Sequence, residues 1–316
     1  MNPGGMPMKR RAIAWTRICC LLALTLSFGA GALPAAPEQT KKLKVYISVD
    51  MEGVVGAVTG DQLGPSGFEY GRFREFMTRE ALAAVNAAKD AGATEILVSD
   101  SHGNGENLLI ELFPPDVRII RSWPRRLSMM AGIDETFDAV IFIGYHASTN
   151  NPSGVRAHTF SSARLTRVAL NGTEVTEGAW AAAIAGHFGV PVVMIAGDDA
   201  AVAEIRALVG NIEGAETKKN LGFHSASTLT PQASYELIGQ KVKAAFGRLR
   251  DFKPYKAVSP VTVEVSFKHY TQAELLTYLP GVERVDAHSI RLRAKNMLEA
   301  SDFMVFITSY SNNLEP

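Results

Sequence analysis

The chain has 316 residues, with 32 basic and 32 acidic side chains, 47% hydrophobic residues and two cysteines. Lys9, Arg10, Arg11, Arg17 and both cysteines, Cys19 and Cys20, lie within the first 36 positions, so the remainder carries 28 basic against 32 acidic residues, a net charge of −4. That balance offers no basic patch for nucleic acid, and the cysteine-free remainder excludes a disulfide framework or a thiolate metal site.

Residues 1–36 read as a secretory signal peptide. The four basic residues form its n-region, residues 18–28 its apolar core, and Ala30, Ala32, Ala35 and Ala36 its small-residue cleavage positions. An eleven-residue core is too short to span a bilayer comfortably. The expectation is export, to a periplasmic or extracellular compartment.

From there the pattern alternates strand and helix. Leu43–Val49 (LKVYISV), residues 95–99 (EILVS) and Ala139–Tyr145 (AVIFIGY) are short apolar runs that predict buried parallel strands. Between the first two, residues 71–91 place Phe73, Phe76, Met77, Ala81, Leu82 and Val85 near one face of an amphipathic helix that Gly92 stops. Residues 107–113 are a shorter helical candidate, and Val117–Ile120 a small extra strand. A polar loop, 147–157, precedes a hairpin in which Leu165–Leu170 and residues 174–176 flank Asn171-Gly172. A helix over 178–187, a strand over 191–196 and a helix over 200–208 follow, the last capped by Asp198 and Asp199.

Beyond Gly210 the texture changes. Residues 217–230 are mixed and polar, Pro231–Phe246 is helical, and 251–260 resembles a connector. Val261–Phe267 alternates as a half-exposed strand does, with Ser289–Ala294 as its pairing candidate. The expected fold is α/β, a mostly parallel sheet flanked by helices. A catalytic domain over 37–210 would be followed by a smaller C-terminal α+β subdomain over 211–316.

Each of the three apolar runs ends on residues that bind metals. Asp50 and Glu52 follow the first, Asp100-Ser101-His102 the second, and His146 the third. In open α/β sheets the ligand crevice lies beyond the carboxyl ends of the strands, so these side chains converge there. Without thiolates, a metal must use His, Asp and Glu, a set that accepts Zn, Mn or Co. Asp50 and Glu52, two residues apart, can offer one carboxylate to two cations and one to a single cation, and Gly53 permits the close turn. Asp100 can orient the His102 imidazole through its other nitrogen. His158, past the polar loop, can move a proton or stabilise an oxyanion if the loop folds over the site. Glu177 is either a further ligand or a carboxylate complementing a helix N-terminus. The residues point to a metal-dependent hydrolase.

The motifs Ser48-Val49-Asp50-Met51-Glu52-Gly53, Ser99-Asp100-Ser101-His102, Gly144-Tyr145-His146-Ala147 and Ala196-Gly197-Asp198-Asp199 resemble those of the DppA-type D-aminopeptidases, a family of zinc metallopeptidases. The likeness continues at Tyr270-Thr271-Gln272-Ala273-Glu274 and through Ala294-Lys295-Asn296-Met297-Leu298-Glu299-Ala300, in the same order along nearly the whole mature chain. The resemblance implies two zinc ions per subunit bridged by Asp50, with Glu52 and His102 on one and His146 and Glu177 on the other. It puts the catalytic histidine at His158, after a loop about one residue longer than the family's. It further implies a homo-oligomer, with a decameric ring as the family's form, and hydrolysis of N-terminal D-amino acids, D-alanine foremost, from short peptides through a metal-bridged hydroxide. An exported chain departs from the cytoplasmic type member, which leaves the physiological substrate open. Two alternatives stand beside this reading: another metal-dependent amidohydrolase or L-peptide or ester hydrolase on the same scaffold, and a periplasmic peptide-binding protein.

Overall fold

Strand formation follows the apolar runs. The last five residues of Leu43–Val49 and all seven of Ala139–Tyr145 are buried, as strands covered on both faces must be. The computed structural model describes Met1 and residues 42–311; the expected leader, Met1 apart, lies outside the described residues. In chain order the strands are β1 (Leu43–Val49), β2 (Ala93–Asp100), β3 (Val117–Ile120), β4 (Ala139–Tyr145), β5 (Leu165–Leu170), β6 (Thr173–Glu174), β7 (Val192–Asp198), β8 (Glu213–Gly222), β9 (Ser225–Thr228), β10 (Val261–Phe267), β11 (Val282–Arg284) and β12 (Ser289–Ala294). The helices are α1 (Gly60–Leu63), α2 (Tyr70–Asp90), α3 (Glu177–His187), α4 (Asp199–Val209), α5 (Pro231–Phe246), α6 (Tyr270–Leu276) and α7 (Met297–Ser309).

Seven strands form one sheet in the order β3-β2-β1-β4-β7-β8-β9, parallel except for β9. Helix α2 buries Phe73, Met77, Ala81, Ala84, Val85 and Ala88, the three-and-four spacing of a helix laid on a core. The remaining five strands make an antiparallel sheet, β11-β12-β10-β5-β6. This is the expected α/β architecture.

The chain leaves β1 for β2 and β3 on one side, then returns to the other side of β1 as β4. Such a reversal opens a crevice at the carboxyl ends of the two strands that flank it. Val49 pairs with Asp100 on β2 and Ile143 on β4, so the three strands end together. Asp50, Ser101-His102 and His146 therefore emerge along one edge of the sheet.

Three expectations change. Most of residues 217–230, too polar to predict an element, belongs to β8, which ends at Gly222, and β9 (Ser225–Thr228) of the large sheet. The division expected near Gly210 separates neither sheet. β8 and β9 extend the large sheet beyond that point, while β5 and β6, which precede it, belong to the small one. The described residues from 42 onward form one compact unit. Residues 107–113 yield only the 3-10 turn Ile110–Leu112: Leu109 is non-helical (φ −81°, ψ 89°), and the N–H groups of Asn107, Leu108 and Leu109 are held by Asp100 and Thr78.

Two glycines let the backbone pack closely behind the crevice. Gly53 donates its N–H to Gly144 O at 2.7 Å, and a Cβ on Gly53 would stand 2.0 Å from Tyr145 O. Gly144 has φ +72°, and its Cβ would stand 2.1 Å from Asp50 O. Replacing either by alanine should cost roughly 3 kcal/mol or more of stability, read as a lowered urea midpoint; an unchanged midpoint would contradict this packing.

Candidate active site

The crevice gathers three carboxylates and three imidazoles, all largely buried. Asp50 and Glu52 both lie past the last residue of β1, so it is the turn at Gly53, rather than strand pleating, that brings their side chains together. His102 follows β2 and His146 follows β4. His158 ends the polar loop, whose two ends meet through His158 N–H to Ala147 O, 3.2 Å. The end of β7 and α4 fix the loop near its two ends: Val155 N–H donates to Asp198 Oδ2 at 2.7 Å, and Ser148 donates its N–H and hydroxyl to Glu204. Asp198 also caps α4, accepting from Ala201 N–H at 3.1 Å. Glu177 is the first residue of α3, and its Oε1 accepts the Phe160 N–H at 2.7 Å.

Each imidazole has one nitrogen against a backbone carbonyl, which can only accept, so that nitrogen carries the proton. His102 Nε2–H donates to Leu63 O (2.7 Å), His146 Nδ1–H to Ala147 O (3.1 Å) and His158 Nδ1–H to Arg156 O (2.8 Å). In the neutral rings the other nitrogens are lone pairs, and all three face carboxylates. His102 Nδ1 lies 3.2 Å from Asp50 Oδ1 and 2.9 Å from Glu52 Oε2. His146 Nε2 lies 3.4 Å from both Asp50 Oδ2 and Glu177 Oε1. His158 Nε2 lies 3.7 Å from Glu177 Oε1 and 3.9 Å from Glu52 Oε1, and its ring stacks on that of His146 with centroids 4.2 Å apart.

Lone pairs that converge on carboxylates repel unless a cation lies between them. Asp50 Oδ2 and His146 Nε2 are buried with no hydrogen-bond partner, which in a native interior calls for an ion or water. The ligand atoms of Asp50, Glu52 and His146 lie within 4.8 Å of one another, as do those of His146, His158 and Glu177. His102 adjoins the first set. The residues therefore fit a metal centre of nitrogen and oxygen ligands. Protons are the alternative counter-charge. Burial raises the Asp50 carboxyl, and the charge of Glu52 adds to that. Burial would also raise Glu52, but His102 above all holds it well below the usual carboxylate range. Burial opposes charge on His102 and His146, yet the facing carboxylates raise both well above an ordinary imidazole.

Asp100 does not orient His102. Its oxygens accept from Asn107 N–H (2.6 Å), Leu108 N–H (2.7 Å) and Asn107 Nδ2 (2.8 Å), so it anchors the loop after His102 while the Leu63 carbonyl sets the imidazole. The sequence reading also missed Lys218, a buried residue in the middle of β8. Its ammonium donates to Val54 O (3.0 Å), Ala57 O (2.5 Å) and Glu52 O, gripping the turn that carries Glu52. Thr217 Oγ1 adds a bond to Gly53 O at 2.7 Å. Burial pushes the lysine down to about 8, against the pull of Asp198, Glu80, Glu52 and Asp50. Three carbonyl acceptors need three donors, which only the charged form has. Lysines in polar stretches are normally solvated, so no sequence signal marks this one.

A family model described as D-aminopeptidase, peptidase M55, matches residues 43–306. This chain belongs to that family. Membership makes it a peptidase and removes the binding-protein alternative. A D-aminopeptidase of Bacillus subtilis (strain 168) is 33% identical over 267 residues, covering 84% of this chain and 97% of the relative. A solved structure, described as the Zn-dependent D-aminopeptidase DppA from Bacillus subtilis, a self-compartmentalizing protease, superposes with a TM-score of 0.82. It is 32% identical and covers 87% of this M55 chain and all of its own.

Lys218→Met should lower folding stability by about 3 kcal/mol or more, because it strands three carbonyls in the interior. Chemical denaturation measures this, and a loss under 1 kcal/mol would show that the grip on the Glu52 turn is not structural.

Proposed function

We propose that this M55 peptidase is a dizinc D-aminopeptidase that removes N-terminal D-amino acids, D-alanine foremost, from short peptides. The observation that carries the reading is the division of Asp50: Oδ1 faces His102 and Oδ2 faces His146, each through a bare imidazole nitrogen. Glu52 joins the first side and Glu177 the second. One carboxylate serving two nitrogen–oxygen sets is the arrangement a two-ion centre needs. The zinc dependence of the related Bacillus structure supports the choice of metal.

When bound, two such ions supply a water of lowered pKa and polarise the scissile carbonyl. The chain's own residues do the rest. Buried carbonyls fix the tautomers of His102 and His146, which keeps their ligating nitrogens aimed inward. His158 lines the cavity and keeps Nδ1–H on Arg156 O, so only Nε2 exchanges protons with the substrate. Nε2 first takes the proton released by the attacking water and then passes it to the departing amine nitrogen as the peptide bond breaks. The Phe160 N–H holds Glu177 from the other side. Trp123 and Phe160 wall a cavity of about 250 Å³, which suits a short peptide.

A self-compartmentalizing relative supports a homo-oligomer here, with a decamer as the form we favour. The basic and apolar leader supports export. In a cell envelope, peptidoglycan fragments are a source of peptides with D-alanine.

The test is release of D-alanine from D-Ala-D-Ala by purified protein beside the L,L isomer, with and without chelator, for the wild type and two variants. Chelator-sensitive cleavage of the D isomer alone is expected. Asp50→Ala should lose bound zinc and turnover together. His158→Ala should keep its zinc while activity falls by roughly 10² or more. Cleavage of the L isomer alone would overturn the substrate assignment, and zinc lost from the His158 variant would overturn its role.

A further inference from the structure

Three carboxylates line the catalytic cavity, but among the lining residues there is one arginine or lysine, Arg164. It lies just before β5, in a segment tied to the site. Phe160, four residues earlier, donates its N–H to Glu177 Oε1. Main-chain bonds hold the rest: Leu165 N–H to Ser161 O (3.0 Å) and Lys268 N–H to Arg164 O (2.9 Å). The guanidinium is placed from the other side by α7, where Nη2 donates to Thr308 O at 2.7 Å, while Nε reaches Ser161 Oγ at 3.4 Å. No carboxylate pairs with it among the described residues. It is an exposed cation held in position on the cavity wall with no counter-charge among the described residues.

We propose that Arg164 binds the C-terminal carboxylate of the peptide, making the site selective for short peptides with a free C-terminus. This rests on the aminopeptidase reading and deepens it. An unblocked dipeptide or tripeptide carries a carboxylate within about 7–11 Å of its amine. The cavity offers its chemistry around Asp50, Glu52 and Glu177 and a lone guanidinium on a wall tethered to Glu177. Chain geometry keeps the Arg164 Cα within about 14 Å of the Phe160 nitrogen held by that glutamate. Guanidinium matches a carboxylate in charge and in its paired donors. Beyond the arginine the surroundings become apolar: Arg164 and Thr308 also border a second cavity of about 490 Å³, lined by Leu165, Phe267, Leu275 and Phe306. A longer chain would carry its carboxylate past its one cationic partner.

Because Arg164 touches no metal-binding side chain, its contribution separates cleanly from the chemistry. The experiment compares D-Ala-D-Ala with its C-terminal amide in the zinc-loaded wild type, Arg164→Met and Arg164→Lys. The wild type should favour the free acid. Arg164→Met should raise KM for the acid by roughly 10- to 100-fold, leaving zinc content and the kinetics of the amide unchanged, and Arg164→Lys should restore part of the preference. An acid-to-amide ratio unchanged in Arg164→Met would overturn the assignment, and so would equal losses on both substrates. Hydrolysis of neither substrate by the wild type would overturn the aminopeptidase reading itself, and this subsite with it.

Discussion

A carboxylate sealed inside a protein needs a counter-charge, and Asp50 is sealed with two others. Taking each such group out of water costs several kcal/mol even after relaxation. The site offsets this with imidazoles on both sides of Asp50, and their bare nitrogens leave room for cations between. Protons can fill that role on His102 and His146, whose affinity for them the carboxylates raise. Zinc ions would fill it with more charge in the same space. Metal binding then displaces protons, so affinity weakens as the pH falls.

The rest of the fold follows from holding that cluster still. β1, β2 and β4 are parallel and buried at their carboxyl ends, which fixes where their terminal residues emerge. Gly53 and Gly144 bring two backbones into contact behind the carboxylates, where any side chain would collide with a carbonyl. Lys218 and Thr217 reach from β8 to clasp the Glu52 turn. The end of β7 and α4 tie down the loop that delivers His158, through Asp198 and Glu204. The six side chains of the site thus come from five stretches of chain, each anchored by hydrogen bonds to the backbone that leave its side chains little freedom.

What the sequence made legible follows the strength of local signals. The apolar runs ending in Asp50, His102 and His146 were readable because buried parallel strands and their carboxyl-end crevices obey simple rules. Helix α2 declared itself through spacing, and the β5–β6 hairpin through Asn171-Gly172. Glu177 and His158 were not fixed by spacing, since a helix-start glutamate and a loop histidine each have ordinary explanations; the family resemblance singled them out. β8 was invisible because its stability comes from pairing with β7 and from Lys218 meeting carbonyls some 160 residues away in sequence. The imagined division at Gly210 had the same cause: with β8 unseen, the large sheet seemed to end there. Asp100 was given the wrong partner, because side-chain direction after a strand end depends on the loop, here Asn107 and Leu108.

The central claim is that the two oxygens of Asp50 serve separate ions. Anomalous diffraction from crystals of the zinc-loaded protein, collected on both sides of the zinc edge, tests it directly. Two peaks are expected, one between Asp50, Glu52 and His102 and the other between Asp50, His146 and Glu177. A single peak, or peaks away from Asp50, would contradict it.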